Sequence, residues 1–189
     1  MKKAIIEHGI YLKKFFMNPF KLGSVAPTSK SSANFLAKHI DKNGYIIELG
    51  AGTGSLTAGI LDAGIDPKKL IAIEIDPTFC KMLEKKFPNL KIICADARNL
   101  KEILSDEVLK NISCIVSAMP LLHLSKNIRI KVISAITECI EDKGKYIQVS
   151  YSPISPVPWK EFNLKQERYG TIFKNIPPIT IFGYTKYKK

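Results

Sequence analysis

Three glycines and three acidic residues carry the chemistry most legible in this sequence. Glu48-Leu49-Gly50-Ala51-Gly52-Thr53-Gly54-Ser55-Leu56 leads from a short apolar run into a helical pattern. Glycines there let backbone approach a ligand closely at the carboxyl end of a strand, the place where α/β sheets bind nucleotides. The spacing is Gly-x-Gly-x-Gly, and Ser55 stands where a dinucleotide fingerprint has its third glycine, which disfavours a pyrophosphate ligand. Glu48, two residues before Gly50, suits a ligand with an ammonium group. Glu74, followed by Ile75, closes a second apolar run, where a carboxylate can accept both hydroxyls of a ribose. Asp96, in Cys94-Ala95-Asp96-Ala97, is placed to accept from the amino group of an adenine, although singly such an aspartate is more often a helix cap.

Together these residues point to S-adenosylmethionine, spent as S-adenosylhomocysteine, with Glu48, Gly50, Gly52, Gly54, Glu74, Ile75, Asp96, Ala97 and Ser117 as the expected cofactor-binding set. The reacting methyl would lie near Ser117-Ala118-Met119-Pro120-Leu121. Enzymes that methylate a base amine commonly carry Asn/Asp-Pro-Pro-Tyr or Asn-Leu-Pro-Tyr here; this chain keeps the proline but has Ser117 for the polar acceptor and Leu121 for the ring. A stacked base thereby loses a contact worth ~1–3 kcal/mol. Tyr151 is the first candidate for a polar group beside an attacking amine, with Ser117 and His123 behind it. The plainer alternatives are that Tyr151 braces its loop, that His123 is a surface residue and that Ser117 is strand-end packing.

These residues need a scaffold, and the apolar pattern supplies one. Runs of strand length at 45–49, 70–75, 92–94, 114–118 and 145–150 alternate with helical spacing at 56–63, 77–86, 99–104 and 126–140, and Pro77 occupies a tolerated first-turn position. Such alternation reads as α/β, with a mainly parallel sheet covered on both faces and right-handed crossovers. The proline-rich stretch 152–159 continues neither helix nor central strand. Beyond it, 168–174 and 180–187 are rich in β-branched and aromatic residues and read as an antiparallel pair at the sheet edge.

A chain of 189 residues points to one domain, and 46% hydrophobic with 24% charged residues sets aside disorder and low complexity. The charge stands out: 29 Lys plus Arg against 17 Asp plus Glu give +12, which favours a negatively charged partner without choosing between lipid and nucleic acid. The four cysteines form no Cys-x-x-Cys pair, and with only His8, His39 and His123 besides, neither a metal site nor a disulfide framework is expected. No apolar run reaches the ~20 residues of a transmembrane helix, so the chain is expected to be cytoplasmic and at most peripheral to a membrane. On a helical wheel Ile6, Ile10 and Met17 form a narrow stripe flanked by Lys2, Lys3, Lys13 and Lys14, a pattern that suits either a bilayer surface or packing on the chain's own domain. Asn18-Pro19 should end that helix, and Pro27-Thr28-Ser29 should start another running to His39.

On these residues the chain resembles the bacterial soluble phospholipid N-methyltransferases, which methylate phosphatidylethanolamine. The likeness adds Gly23-Ser24-Val25-Ala26-Pro27-Thr28-Ser29, Ser117 to Leu122, Ile147-Gln148-Val149-Ser150-Tyr151 and Pro156-Val157-Pro158 to the glycine loop and acids; Ala51 and Ala118 stand where Pro and Gly are frequent. It implies a Rossmann-like class I methyltransferase fold: a mainly parallel seven-stranded sheet with an antiparallel C-terminal strand pair, helices on both faces, and N-terminal helices before it. The expected organisation is one domain over 1–189, with 1–40 a helical membrane or lid segment and 41–189 the catalytic core. It also implies N-methylation of phosphatidylethanolamine toward phosphatidylcholine at an anionic membrane surface, with nucleic acid an unlikely partner. More distantly the chain is similar to the ribosomal RNA adenine dimethyltransferases, which share Glu-Leu-Gly-x-Gly-x-Gly. That makes RNA methylation the rival expectation, against which stand Ser117, Leu121 and the lack of their helical C-terminal domain.

Overall fold

Alternate residues of a strand face opposite sides of a sheet, and here both sides are buried. Ile46 of β1 (Tyr45–Leu49) packs with Ile60 and Leu83 on one face, while Ile47 and Leu49 pack with Leu100, Ile133 and Ile136 on the other. The computed structural model describes residues 30–140, 144–173 and 177–187. The amphipathic segment read at 2–17 and the Gly23–Ser29 motif lie outside the described residues.

In chain order the remaining elements are α1 (Lys30–Ala37), α2 (Ser55–Asp62), β2 (Leu70–Glu74), α3 (Pro77–Lys86), β3 (Lys91–Cys94), a 3-10 turn (Ala97–Asn99), α4 (Leu100–Ile103), α5 (Asp106–Lys110), β4 (Ile112–Ser117), a second 3-10 turn (Leu121–His123), α6 (Lys126–Cys139), β5 (Lys145–Ser150), β6 (Leu164–Ile172) and β7 (Ile179–Lys186). One seven-stranded sheet results, in the order β3-β2-β1-β4-β5-β7-β6. The first five strands pair in parallel, and β7 inserts antiparallel between β5 and β6. Strand order reverses between β1 and β4, the crevice where open α/β sheets bind ligands.

Sequence and structure agree on the layout and differ at edges. β6 begins at Leu164, four residues before the expected start, because pairing with β7 reaches back to Leu164↔Lys186. Helix α5 was not expected; its Ser105 hydroxyl accepts from the Val108 N–H, a local cap on one turn that periodicity cannot show. Helix α1 is anchored to β6, where His39, just beyond its end, stacks on Tyr169 at 3.8 Å between ring centroids. Cys80, Cys114 and Cys139 are buried and Cys94 is exposed, all four as free thiols. Among the described residues no helix is long and apolar enough to cross a membrane, and no cluster of side chains could hold a metal ion.

Candidate active site

The glycine loop leaves β1 with φ of +70° at Gly50, +53° at Gly52 and +74° at Gly54, a left-handed region costly for residues with a Cβ. Gly50 has a second reason to be glycine: a Cβ there would stand 2.4 Å from Cγ of Met119. The loop is fastened to β2 as well. Gly50 N–H donates to the carbonyl of Ile73 at 2.8 Å, and Gly52 N–H donates to Oε2 of Glu74 at 2.8 Å. Oε1 of Glu74 accepts from the N–H groups of Ile75 and Asp76, at 2.8 and 2.9 Å. The expected ribose acceptor therefore also holds the turn around it. Burial raises its pKa, while the N–H groups of Asp76, Gly52 and Ile75 pull it back.

Glu48 and Glu74 fall on the same face by strand parity, the face covered by α2 and α3. Glu48 is 1% exposed, and neither of its oxygens meets a hydrogen-bond donor among the described residues. Burial pushes its carboxyl up to about 8; the Glu74 charge adds to the rise and the nearby Thr57 hydroxyl moderates it. That hydroxyl does not reach hydrogen-bond geometry and is itself a buried polar atom without a partner. An orphaned buried carboxyl at the ligand end of β1 is the kind of group that a cationic ligand would ionise.

A narrow slot runs from Gly50 past Glu74 and Ile75 to Ala95, Asp96 and Ala97, closed on the other side by Met119 and Leu124. Its walls are apolar and Glu74 and Asp96 stand along it, the lining expected beside an adenosine. Asp96 does more than sequence suggested: its carboxylate accepts from the Arg98 N–H at 2.9 Å, capping the 3-10 turn, and pairs with the Arg98 guanidinium. The residue expected to accept from an adenine is thus also the helix cap. Sequence reasoning missed Arg98, and also Asp76, whose side chain accepts from Thr78 N–H at 2.7 Å to cap α3. Asp-Pro-Thr at a helix start was the available signal.

A second cavity, of about 180 Å³, opens beside the turn after β4. It is lined by Pro120, Leu122, His123, Val149, Tyr151 and Pro156, among others, so Tyr151 and His123 come together. Burial pushes the Tyr151 phenol up to about 12, which keeps it protonated at neutral pH. His123 is exposed on the 3-10 turn. Ser117 goes elsewhere: it is fully buried, and its Oγ accepts from Met119 N–H at 3.0 Å, so the hydroxyl shapes the turn. Leu121, at the position of a stacking ring in base methylators, is 1% exposed and packs into the core. Gln148, fully buried in β5, accepts from the Tyr146 hydroxyl and donates to the Met119 carbonyl at 3.1 Å, holding the same turn from below.

Comparison with known proteins finds similar methyltransferases. A family model described as ribosomal RNA adenine dimethylase matches residues 11–143. An ornithine lipid N-methyltransferase of Singulisphaera acidiphila is 26% identical over 149 residues, covering 76% of this chain and 78% of that protein. A ribosomal RNA small subunit methyltransferase A of Sulfurihydrogenibium sp. is 46% identical over 74 residues, but these cover 36% of this chain and 28% of that protein. Among solved structures, a TehB-like SAM-dependent methyltransferase from Corynebacterium glutamicum superposes with a TM-score of 0.61 at 15% identity, covering 96% of this chain and 99% of that one. The last match establishes a shared fold.

Proposed function

We propose, for a chain that belongs to the ribosomal RNA adenine dimethylase family and is an S-adenosylmethionine-dependent methyltransferase, that the methyl acceptor is the primary amine of a membrane aminolipid. Phosphatidylethanolamine, carried toward phosphatidylcholine, is the first choice from the sequence resemblance. The observation that carries this reading is the cavity beyond β4: its walls include Leu121, Leu122, Val149, Pro156 and one hydroxyl-bearing ring, Tyr151, so an aliphatic side chain that also packs into the core stands where a base methylator has its stacking ring. A small aliphatic amine on a chain can enter such a cavity, whereas a base would miss its usual platform. The similarity to the ornithine lipid enzyme, which extends over most of both chains, supports the same class.

The glycine loop with Glu48, Glu74, Ile75, Asp96 and Ala97 would hold the cofactor, which when bound would supply an electrophilic methyl on a sulfonium. The attacking nitrogen must be neutral, since an ammonium has no lone pair, and its proton goes to solvent. Tyr151 acts as a hydrogen-bonding partner that orients this nitrogen, not as a strong base, because its phenol keeps its proton to about pH 12. His123 is a second polar side chain lining the same cavity. Met119 and the turn that Ser117 and Gln148 hold close the reaction space against water.

Family membership and the matches to ribosomal RNA methyltransferases favour a second reading, methylation of an adenine in RNA, although those matches span 28 to 40% of the relatives' lengths. One experiment separates the two. Transfer of labelled methyl is followed with phosphatidylethanolamine vesicles, ornithine lipid vesicles and an unmethylated ribosomal RNA transcript offered separately. Label in either lipid supports the aminolipid reading, and label in the transcript alone replaces it.

A further inference from the structure

Five large apolar side chains stand exposed among the described residues, and three of them share one edge of the molecule. Leu122 (49% exposed) follows β4, Ile154 (75%) follows β5 and Phe173 (78%) follows β6. Because β7 is antiparallel to both β5 and β6, those two strands run in the same direction and end at the same side as β1 to β4. Register confirms the level: Ser150 pairs with Thr180, which pairs with Thr171, two residues before Phe173. From β4 to β6 is three strand spacings, so the three side chains spread along roughly 15 Å of the edge that carries the candidate active site.

Ile154 is held out by its loop. Ser150 Oγ accepts from Ser152 N–H and Ser152 Oγ accepts from Ile154 N–H, each at 3.1 Å, while Ser155 Oγ is tied to the Tyr184 hydroxyl at 2.7 Å. Pro153, Pro156 and Pro158 fix φ along the same stretch. A loop braced this way cannot fold its isoleucine inward. The connection after β4 leads to Lys126, and the β5–β6 connection, 151–163, holds Lys160 beside one carboxylate, Glu161, in a chain of net charge +12. An apolar tip line on a chain of strong net positive charge is complementary to an anionic bilayer, in which apolar groups enter the interface and lysines meet headgroups. Two of the three tips are aliphatic and offer nothing for a base to stack on.

We propose that Leu122, Ile154 and Phe173 form a docking edge that enters the surface of an anionic membrane and sets the mouth of the 180 Å³ cavity against the headgroups. The choice of a bilayer as partner rests on the aminolipid reading above. In this arrangement the amine reaches Tyr151 from the membrane side while the acyl chains stay in the lipid.

The test uses the full chain carrying Ile154→Ser and Phe173→Ser, neither of which lines the cavity. Co-sedimentation with phosphatidylglycerol/phosphatidylethanolamine vesicles should show binding about tenfold weaker or more. S-adenosylhomocysteine affinity should be unchanged, and methyl transfer should fall on vesicles but not on short-chain phosphatidylethanolamine dissolved as monomers. Ile154→Ser alone, at a site too exposed to disturb the core, should weaken vesicle binding severalfold and guards against misfolding of the double variant. Vesicle binding equal to that of the unaltered chain would overturn the proposal and assign the edge to another occupant, as would weaker binding of the RNA transcript with vesicle binding unchanged. Should the unaltered chain methylate neither lipid while the variants still lose vesicle binding, the docking edge stands and the substrate reading falls.

Discussion

Glu74 Oε2 lies 2.8 Å from the backbone nitrogen of Gly52, so the carboxylate that ends β2 also ties down the glycine loop that ends β1. Three N–H groups converge on this one side chain, two from its own strand end and one from the loop. The order of the loop therefore depends on the residue expected to accept the ribose hydroxyls.

Glu74→Ala should weaken S-adenosylhomocysteine binding and also destabilise the empty protein, since three N–H groups lose their acceptor in a site 2% exposed. A loss of about 1–3 kcal/mol is expected for leaving such groups unpaired. Calorimetric titration and chemical denaturation read the two effects separately; unchanged stability would mean that the loop does not depend on the carboxylate.

Glu48 predicts a pH signature. Its carboxyl is raised from 4.5 to about 8 in the folded chain, chiefly by burial. Between those values the folded state holds a proton that the unfolded state has released, so stability falls as pH rises from about 4.5 through 8. Glu48→Gln should flatten that slope and raise the melting temperature at pH 8, yet weaken cofactor binding, because an amide cannot offset an ammonium. Binding to the unaltered chain at pH 7 should release a proton, seen as a titration heat that changes with the ionisation enthalpy of the buffer.

Gly50→Ala meets both strain at φ +70° and the Met119 side chain. Gly64→Ala meets strain alone, at φ +83° with nothing within 4 Å of the added carbon. Each should cost about 1–2 kcal/mol through the backbone. Only Gly50→Ala should also reduce cofactor affinity, since Gly50 and Met119 both wall the slot beside Glu74 and Asp96.

Tyr151→Phe keeps the ring and removes the hydroxyl. If that hydroxyl orients the amine, kcat should fall by about tenfold or more, with cofactor affinity unchanged. The rise of rate with pH should persist in the variant, because it reports deprotonation of the substrate amine, not of a phenol held near 12.

Gln148→Leu conserves approximate size but releases the Met119 carbonyl and the Tyr146 hydroxyl inside the core. A cost of about 1–3 kcal/mol is expected for those unmet groups, with lower turnover from a looser turn. Thermal melts and single-turnover methyl transfer would check both.

Much of the fold was legible because strands buried on both faces read as short continuous apolar runs, and five of them appear between helical patterns in this sequence. The glycine loop was legible for a local reason, since positive φ at Gly50, Gly52 and Gly54 demands residues without a Cβ. That Glu48 and Glu74 share a face needed the β1–β2 register, in which Glu48 pairs with Ala72. Sequence could not show that Asp96 is held by Arg98, because a cap and a ligand acceptor look alike along the chain. Nor could it show that Ser117 turns its hydroxyl to Met119, a matter of rotamer and local backbone.

What the sequence by itself determined is the set of groups: a glycine turn, acids at strand ends, and apolar runs whose period selects parallel strands. What tertiary structure decided is which of those groups share a space. Pairing of β7 with both β5 and β6 brings Phe173 to the same edge as Ile154 and Leu122. Burial leaves Glu48 without a partner while Glu74 gains three. Both outcomes depend on contacts between residues far apart in the chain, and desolvation acts only once those contacts have excluded water.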